Sequence, residues 1–304
     1  MRAIFTMLRV PNLLIIALTF LFIRYLVFVP IYTEYSLLPG MGNTNYVLLI
    51  IATMLIASAG YIINDYFDVM TDSINKPQKL YIGKQIKPGS ALATSLMMSS
   101  IALISAIWLT SALQSWLPLI ILLIALIVAW WYAMVLKKSF LWGNIAVSCM
   151  SAGTIAMAWL IEKQCSVLPE AVSARVSGII AAISVFAFML SLLREIVKDM
   201  EDMEGDKLIH CRSLPIVKGI PFTKNVLFIL SAITFALLII AQIYLFKFTK
   251  ITALLWLLFT VEIPLGYFTL KLNKAESKAN FHALSSMLKW IMVAGIASIV
   301  AGQF

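Results

Sequence analysis

Charge is scarce in this sequence: Asp, Glu, Lys and Arg together make up 12% of 304 residues, about half the share of an ordinary soluble domain. So few polar groups cannot cover a water-exposed surface of that size. With 62% hydrophobic residues and a mean hydropathy of +0.97, a soluble globular protein is excluded. Cysteine is also rare. Cys149, Cys165 and Cys211 share no pair spacing, so neither a disulfide framework nor a zinc site is expected and all three read as packing residues. The two histidines, His210 and His282, lack a partner at metal-ligand spacing and read as structural. No Gly/Ser linker or low-complexity tract interrupts the chain, so 1–304 is expected to form a single membrane domain.

Apolar runs of about 20 residues fill the chain instead, near 11–31, 43–63, 90–110, 116–136, 141–161, 173–193, 224–246, 251–270 and 282–302. At 1.5 Å per residue each covers the roughly 30 Å hydrocarbon layer. The expected fold is therefore all-α and polytopic, a bundle of nine transmembrane helices rather than a barrel. Arg2 and Arg9 precede the first run as in a signal peptide. That run is too long and lacks a small-residue cleavage site, so it reads as a retained helix.

A net charge of +9 could suggest nucleic acid as a partner, but the basic residues alternate from one connection to the next. Arg2 and Arg9, Lys76, Lys79, Lys84 and Lys87, Lys137 and Lys138, Arg194, Lys198, Lys207, Arg212, Lys218 and Lys224, and Lys271, Lys274 and Lys278 share one side, 17 of the 23 Lys and Arg. Lys163, Arg175, Lys247 and Lys250 fall on the other, and Arg24 and Lys289 lie within or near spans. The positive-inside rule puts the N-terminus in the cytoplasm and the C-terminus outside the cell membrane. The charge is a topology signal, and a lipid bilayer rather than nucleic acid is the partner.

Aspartate is rarer still, and all six fall into two groups of one spacing, DxxDxxxD: Asp65, Asp68 and Asp72, then Asp199, Asp202 and Asp206. Offsets of three and seven return to one helix face, so each group is expected to aim three carboxylates at one point on the cytoplasmic side. Unit charges about 6 Å apart at an effective dielectric near 20 repel by roughly 3 kcal/mol, so facing triads would protonate or recruit a hard cation. Mg2+ fits, because it takes one or two carboxylates and completes its octahedron with water and substrate phosphate oxygens. The repeated spacing also hints at an internal duplication of a helical unit.

The first group reads Asn64-Asp65-Tyr66-Phe67-Asp68-Val69-Met70-Thr71-Asp72, followed by Ile74-Asn75-Lys76-Pro77; the second reads Arg194-Glu195-Ile196-Val197-Lys198-Asp199-Met200-Glu201-Asp202-Met203-Glu204-Gly205-Asp206, followed by Arg212-Ser213-Leu214-Pro215-Ile216-Val217. At these residues the chain resembles the UbiA superfamily of intramembrane prenyltransferases, whose members carry NDxxDxxxD after helix 2 and DxxxD after helix 6. The likeness covers essentially the whole chain. It implies a bundle around a central lipid-accessible cavity and makes Asn64, Asp65, Asp68 and Asp72 a first Mg2+-diphosphate motif. Asp202 and Asp206 match the second, with Asp199 an added carboxylate one turn earlier. The six aspartates are then the catalytic candidates, and with Asn64 the metal ligands.

Lys137, Arg194, Lys198 and Lys207 lie beside the groups or on the same side, and are candidates for contacting the diphosphate or an acidic acceptor; lipid headgroup contact is the plain alternative. Tyr132 and Asn144 flank the Lys137-Lys138 connection and are candidate cavity residues, with interfacial anchoring an alternative for Tyr132. Arg9 and Asn12, around Pro11, resemble a substrate-facing segment, though a helix-starting proline with an interfacial arginine would look the same.

The wording of both groups and the Arg212–Val217 stretch further resembles geranylgeranylglycerol-phosphate geranylgeranyltransferases, which alkylate a glycerol-phosphate hydroxyl to make ether lipids. Two features depart from that pattern: Gly83-Lys84-Gln85 replaces a Ser-Gly-Arg-like turn, and His210-Cys211 stands where glycine is usual. The implied reaction is prenyl transfer from a prenyl diphosphate donor, through an allylic carbocation, to a glycerol-phosphate acceptor. C-prenylation of an aromatic quinone precursor, of the 4-hydroxybenzoate or dihydroxynaphthoate type, is the alternative. A cation transporter or channel is the non-enzyme reading, set against acids that gather at one membrane face rather than along several helices. The DG…AR…G…D…D pattern of CDP-alcohol phosphotransferases is absent.

Overall fold

The computed structural model describes residues 7–75, 77–208, 210–246 and 251–302. Arg2, Lys76, Lys247 and Lys250 lie outside them. Among the described residues nine helices are long and apolar enough to cross a membrane: α1 Val10–Glu34, α2 Asn43–Phe67, α3 Pro88–Leu113, α4 Leu117–Met134, α5 Trp142–Cys165, α6 Glu170–Leu208, α7 Leu214–Ile243, α8 Ile251–Lys274 and α9 Lys278–Val300. Each expected span finds its helix. Proline stands in the first turn of α1, α3, α4 and α7, where its missing N–H leaves no bond unmade and its fixed φ suits the helix.

Prolines also explain the two irregular turns. The π-helical segments Ile23–Phe28 and Leu258–Glu262 both end two residues before a proline, Pro30 and Pro264. A proline ring clashes with the carbonyl four residues back, and widening the preceding turn relieves the clash without breaking the span. In α7 the break is complete. Gly219 takes φ 81° and ψ 165° two residues ahead of Pro221, a conformation that glycine adopts without strain, so the regular span starts after it.

The larger departure from the hydropathy pattern is α6, which runs on to Leu208 and holds the whole second aspartate group. Nothing in Ser191–Glu204 breaks a helix, and Leu, Arg, Glu, Lys and Met favour one. The helix ends where His210 takes φ 57°, the left-handed residue that glycine supplies most readily. The first group is divided instead. Asp65 lies in α2, Asp68 caps its C-terminus, and Asp72 lies in the short helix Val69–Asn75.

α6 also joins the two halves of the core. Val172, Val176, Ile179 and Ile180 pack with α1 to α5, while Leu190, Leu193, Ile196 and Met200 pack with α7 to α9. Close approach of α2 and α3 relies on small buried residues, including Ala59, Ala91, Ser95 and Ala102, with Ser95 Oγ donating to the Ala59 carbonyl at 2.9 Å. Small interfaces and interhelical hydrogen bonds hold helices together where the solvent is as apolar as leucine. Outward faces carry large apolar side chains such as Leu14, Trp108, Ile240 and Phe259.

Candidate active site

Both aspartate groups reach the same end of the bundle, where Asp65, Asp68 and Asp199 each have a separate side-chain partner. Arg9, at the start of α1, donates Nη2 to Asp65 Oδ1 at 2.7 Å, and its guanidinium lies 4.8 Å from the ring centroid of Tyr61, one turn before Asp65. Asp68 accepts from Asn64 Nδ2 at 2.7 Å and from Lys137 Nζ. Asp72 lines a small crevice with Asp65, Leu80, Tyr81 and Ile82. On α6, Asp199 accepts from the buried Asn144 Nδ2 at 2.8 Å.

Shared neighbours tie the groups together. Lys198, between Arg194 and Asp202 on α6, is within electrostatic reach of Asp65 on one side and Asp202 on the other. The Tyr132 hydroxyl feels Lys198, Glu195, Asp199 and Asp68 at once. Asp206 interacts with Asp199. Cys211 adds a further link, because its thiol feels Asp206, Lys137, Lys138 and Asp68. Burial first and Asp206 second push that thiol up to about 11, which favours the thiol over the thiolate near neutrality.

One residue stitches the motifs mechanically. Asn75, buried at the end of the short helix, donates Nδ2 to the Asp202 carbonyl at 2.9 Å and accepts at Oδ1 from the Gly205 amide at 3.0 Å; Lys278 Nζ donates to the Asn75 carbonyl at 3.2 Å. Only glycine allows this approach, since a Cβ at Gly205 would lie 2.4 Å from Asn75 Nδ2. Gly205→Ala is expected to expel the Asn75 amide and lower turnover about 10-fold, the scale of one or two buried hydrogen bonds lost. Assay of Gly205→Ala beside Gly205→Ser checks this; full activity in the alanine variant contradicts it.

Of the candidates read from sequence, Arg9, Asn64, Lys137, Asn144, Tyr132, Lys198, Arg194 and five of the aspartates meet through these contacts, and Asp72 joins through the crevice. Arg194 Nη1 donates to Glu195 Oε1 at 2.6 Å. Asn12 faces α9, accepting from Lys289 Nζ at 3.1 Å. Lys207 stands apart, exposed in the last turn of α6 with no side-chain partner among the described residues. Among those residues no three His, Cys, Asp or Glu side chains gather closely enough to hold an ion. The expectation of three carboxylates at one point is thus modified: Arg9, Lys137 and Asn144 draw them toward separate partners. Missing from the sequence reading were Tyr61, Asn75, Glu195 and Lys289. Tyr61 had a signal, its four-residue offset from Asp65.

The donor set nonetheless suits Mg2+. Asn64 Oδ1 is buried and accepts no hydrogen bond, an expensive state for an amide oxygen, and the same side chain donates to Asp68, whose carboxylate oxygens are hard donors of the kind that Mg2+ selects.

The UbiA prenyltransferase family model matches residues 13–292. The chain belongs to this family. It is an integral, multi-pass membrane protein of the all-α UbiA fold. Digeranylgeranylglyceryl phosphate synthase of Methanobrevibacter smithii is 28% identical over 258 residues, which cover 85% of this chain and 87% of that protein. The enzyme of the same name from Saccharolobus solfataricus is 30% identical over 259 residues, 82% of this chain and 81% of the relative. A structure solved in work on digeranylgeranylglyceryl phosphate synthase in membranes aligns with a TM-score of 0.67 at 22% identity, covering 99% of this chain and 98% of that one. A UbiA homolog from Archaeoglobus fulgidus bound to GPP and Mg2+ aligns at 0.60 and 17% identity, covering 98% and 99%.

Proposed function

We propose that the chain is one prenyltransferase unit that moves a geranylgeranyl group from its diphosphate to a hydroxyl of a glycerol-phosphate acceptor, with Mg2+ as cofactor. The observation that carries this is the convergence of two acidic motifs on shared cations in a family of prenyltransferases. The acceptor follows from the names of the relatives, which describe a glyceryl phosphate bearing two geranylgeranyl chains. Asn64, Asp65, Asp68, Asp72, Asp199, Asp202 and Asp206 would hold the metal. Bound there, Mg2+ supplies charge neutralisation for the diphosphate.

The chain's own residues do the rest. Lys137 and Lys198, each already beside a carboxylate, offer ammonium donors to diphosphate oxygens as negative charge builds on the leaving group. The C–O electron pair leaves with the diphosphate, and the acceptor hydroxyl oxygen forms the new bond to the allylic carbon as its O–H bond breaks and the proton passes to the released diphosphate. Asn75 fixes the separation of the two motifs, so that donors and carboxylates hold their geometry through the reaction. The prenyl tail would occupy a central cavity open to lipid. The distribution of Lys and Arg supports a cytoplasmic site and N-terminus, with the C-terminus on the opposite side of the cell membrane.

The test incubates purified protein in liposomes with labelled geranylgeranyl diphosphate and, separately, geranylgeranylglyceryl phosphate, 4-hydroxybenzoate and dihydroxynaphthoate. Transfer to the phosphate acceptor is expected, lost at least 100-fold with excess EDTA and restored by Mg2+. Transfer that survives EDTA removes the metal from the mechanism, and preference for an aromatic acceptor removes the glycerol phosphate.

A further inference from the structure

After Lys278, Lys289 is the only Lys, Arg, Asp or Glu of α9. An ammonium about three turns into an apolar spanning helix is costly to keep there, and function is its default reading. Its Nζ donates to the neutral amide of Asn12 at 3.1 Å, and among the described residues it has no carboxylate partner. The charge it does face is another cation, Arg194 of α6.

Arg194 offers little relief. It shares the Glu195 carboxylate with Lys198, at 2.6 and 3.7 Å respectively, and its Nε is buried with no hydrogen-bond partner. Two like charges thus act on one another, both only partly buried, with an amide on one side and a divided carboxylate on the other. Such a pair is stabilised by an anion with several acceptor oxygens. The place is continuous with the acidic motifs yet outside them: Asn12 lies one turn from Arg9 on α1, and Arg9 pairs with Asp65. Arg194 and Lys198 keep 29% and 33% of their side-chain surface accessible, so the cations border open space rather than filled core.

We propose that Lys289, with Arg194, forms the subsite for the phosphate monoester of the acceptor and thereby selects a glycerol-phosphate substrate. This rests on the acceptor reading above. A phosphate there would lie between Lys289 Nζ and the accessible part of the Arg194 guanidinium, leaving the hydroxyl end of the acceptor toward Arg9 and Asp65.

The test compares wild type with Lys289→Gln, which keeps a donor for Asn12, with Lys289→Met, which suits an apolar helix, and with Lys289→Arg. The KM for geranylgeranylglyceryl phosphate should rise about 10- to 100-fold in the uncharged variants, the worth of a charge-assisted hydrogen bond. The KM for geranylgeranyl diphosphate should stay within twofold, and Lys289→Arg should restore most of the loss. A structural role would move both constants together, which overturns the assignment, as does an unchanged acceptor KM in Lys289→Gln. Wild-type protein that ignores the phosphate acceptor overturns the function proposed above and this subsite with it; wild-type protein that uses it while Lys289→Gln keeps its KM overturns the subsite alone.

Discussion

Asp68→Asn should lower the turnover of prenyl transfer about 1,000-fold, equivalent to roughly 4 kcal/mol of transition-state stabilisation. Asp68 is the carboxylate with most to lose. It caps α2 between the two helical parts of the first motif and receives both Asn64 Nδ2 and Lys137 Nζ. Asparagine keeps the shape and one acceptor oxygen but removes the charge that a divalent cation needs. It also leaves the Lys137 ammonium, 10% exposed, without its counter-charge, so a stability cost of about 1–3 kcal/mol accompanies the loss of activity. The double variant Asp68→Asn/Lys137→Met separates the effects: it should recover stability and recover no turnover. Asp202→Asn is expected to match the kinetic defect from the other motif. Single-turnover rates on folded, detergent-purified protein measure this, and an Asp68→Asn enzyme within tenfold of wild type would falsify the metal-diphosphate role of the first motif.

Why that carboxylate could be picked out beforehand, and its partners only in part, follows from the range over which the physics acts. Spans are local: each depends on about 20 neighbouring residues, and hydropathy finds all nine. Asp spacing is local as well, and so is the sidedness that links Lys137, Arg194 and Lys198 with the aspartates. The continuation of α6 through Asp206 was legible in the want of a Gly or Pro before Gly205, although hydropathy alone stops the span near residue 193. The π turns were not, because a proline inside a span signals a kink without saying which turn absorbs it. Asn75 and Lys289 act on segments more than 100 residues away, Asp202 and Gly205 for one, Asn12 for the other. Such pairings come from how helices dock. No window of sequence contains them, and an isolated intramembrane lysine indicates only that a partner exists. The left-handed His210 is an intermediate case, since its departure from a usual glycine marked the place where the chain must turn, and the structure supplies the reason.

At the end of the bundle opposite the aspartates, Glu162→Leu should destabilise the protein by about 3–5 kcal/mol while leaving transfer per folded molecule within twofold. Glu162 of α5 is fully buried and serves four groups: the Gly40 amide at 2.6 Å, the Met41 amide at 3.3 Å, Ser166 Oγ at 2.9 Å and Arg24 Nη1 at 3.7 Å. Arg24, 4% exposed in the π turn of α1, completes the clamp through the Met41 carbonyl and Asn43 Oδ1, both at 2.8 Å, and lies 4.6 Å from the Tyr46 ring centroid. One ion pair thus ties α1, the connection to α2, and α5. Removing the acid strands a buried guanidinium and the Met41 amide and leaves the Gly40 amide only Ser166 Oγ at 3.1 Å; removing the base with Arg24→Met strands the carboxylate, which still holds its amides, so the loss is smaller. The pair Arg24→Met/Glu162→Leu relieves the stranded charge but not the amides, so it should be more stable than the sum of the singles by about 1–3 kcal/mol without reaching wild type. Unfolding of the detergent-solubilised protein, followed by helical signal, gives the cycle. Additive losses would mean that the charges do not act as a pair, whereas lost transfer in the folded fraction would mean that this clamp at the far end of the bundle sets the helix positions on which the acidic end depends.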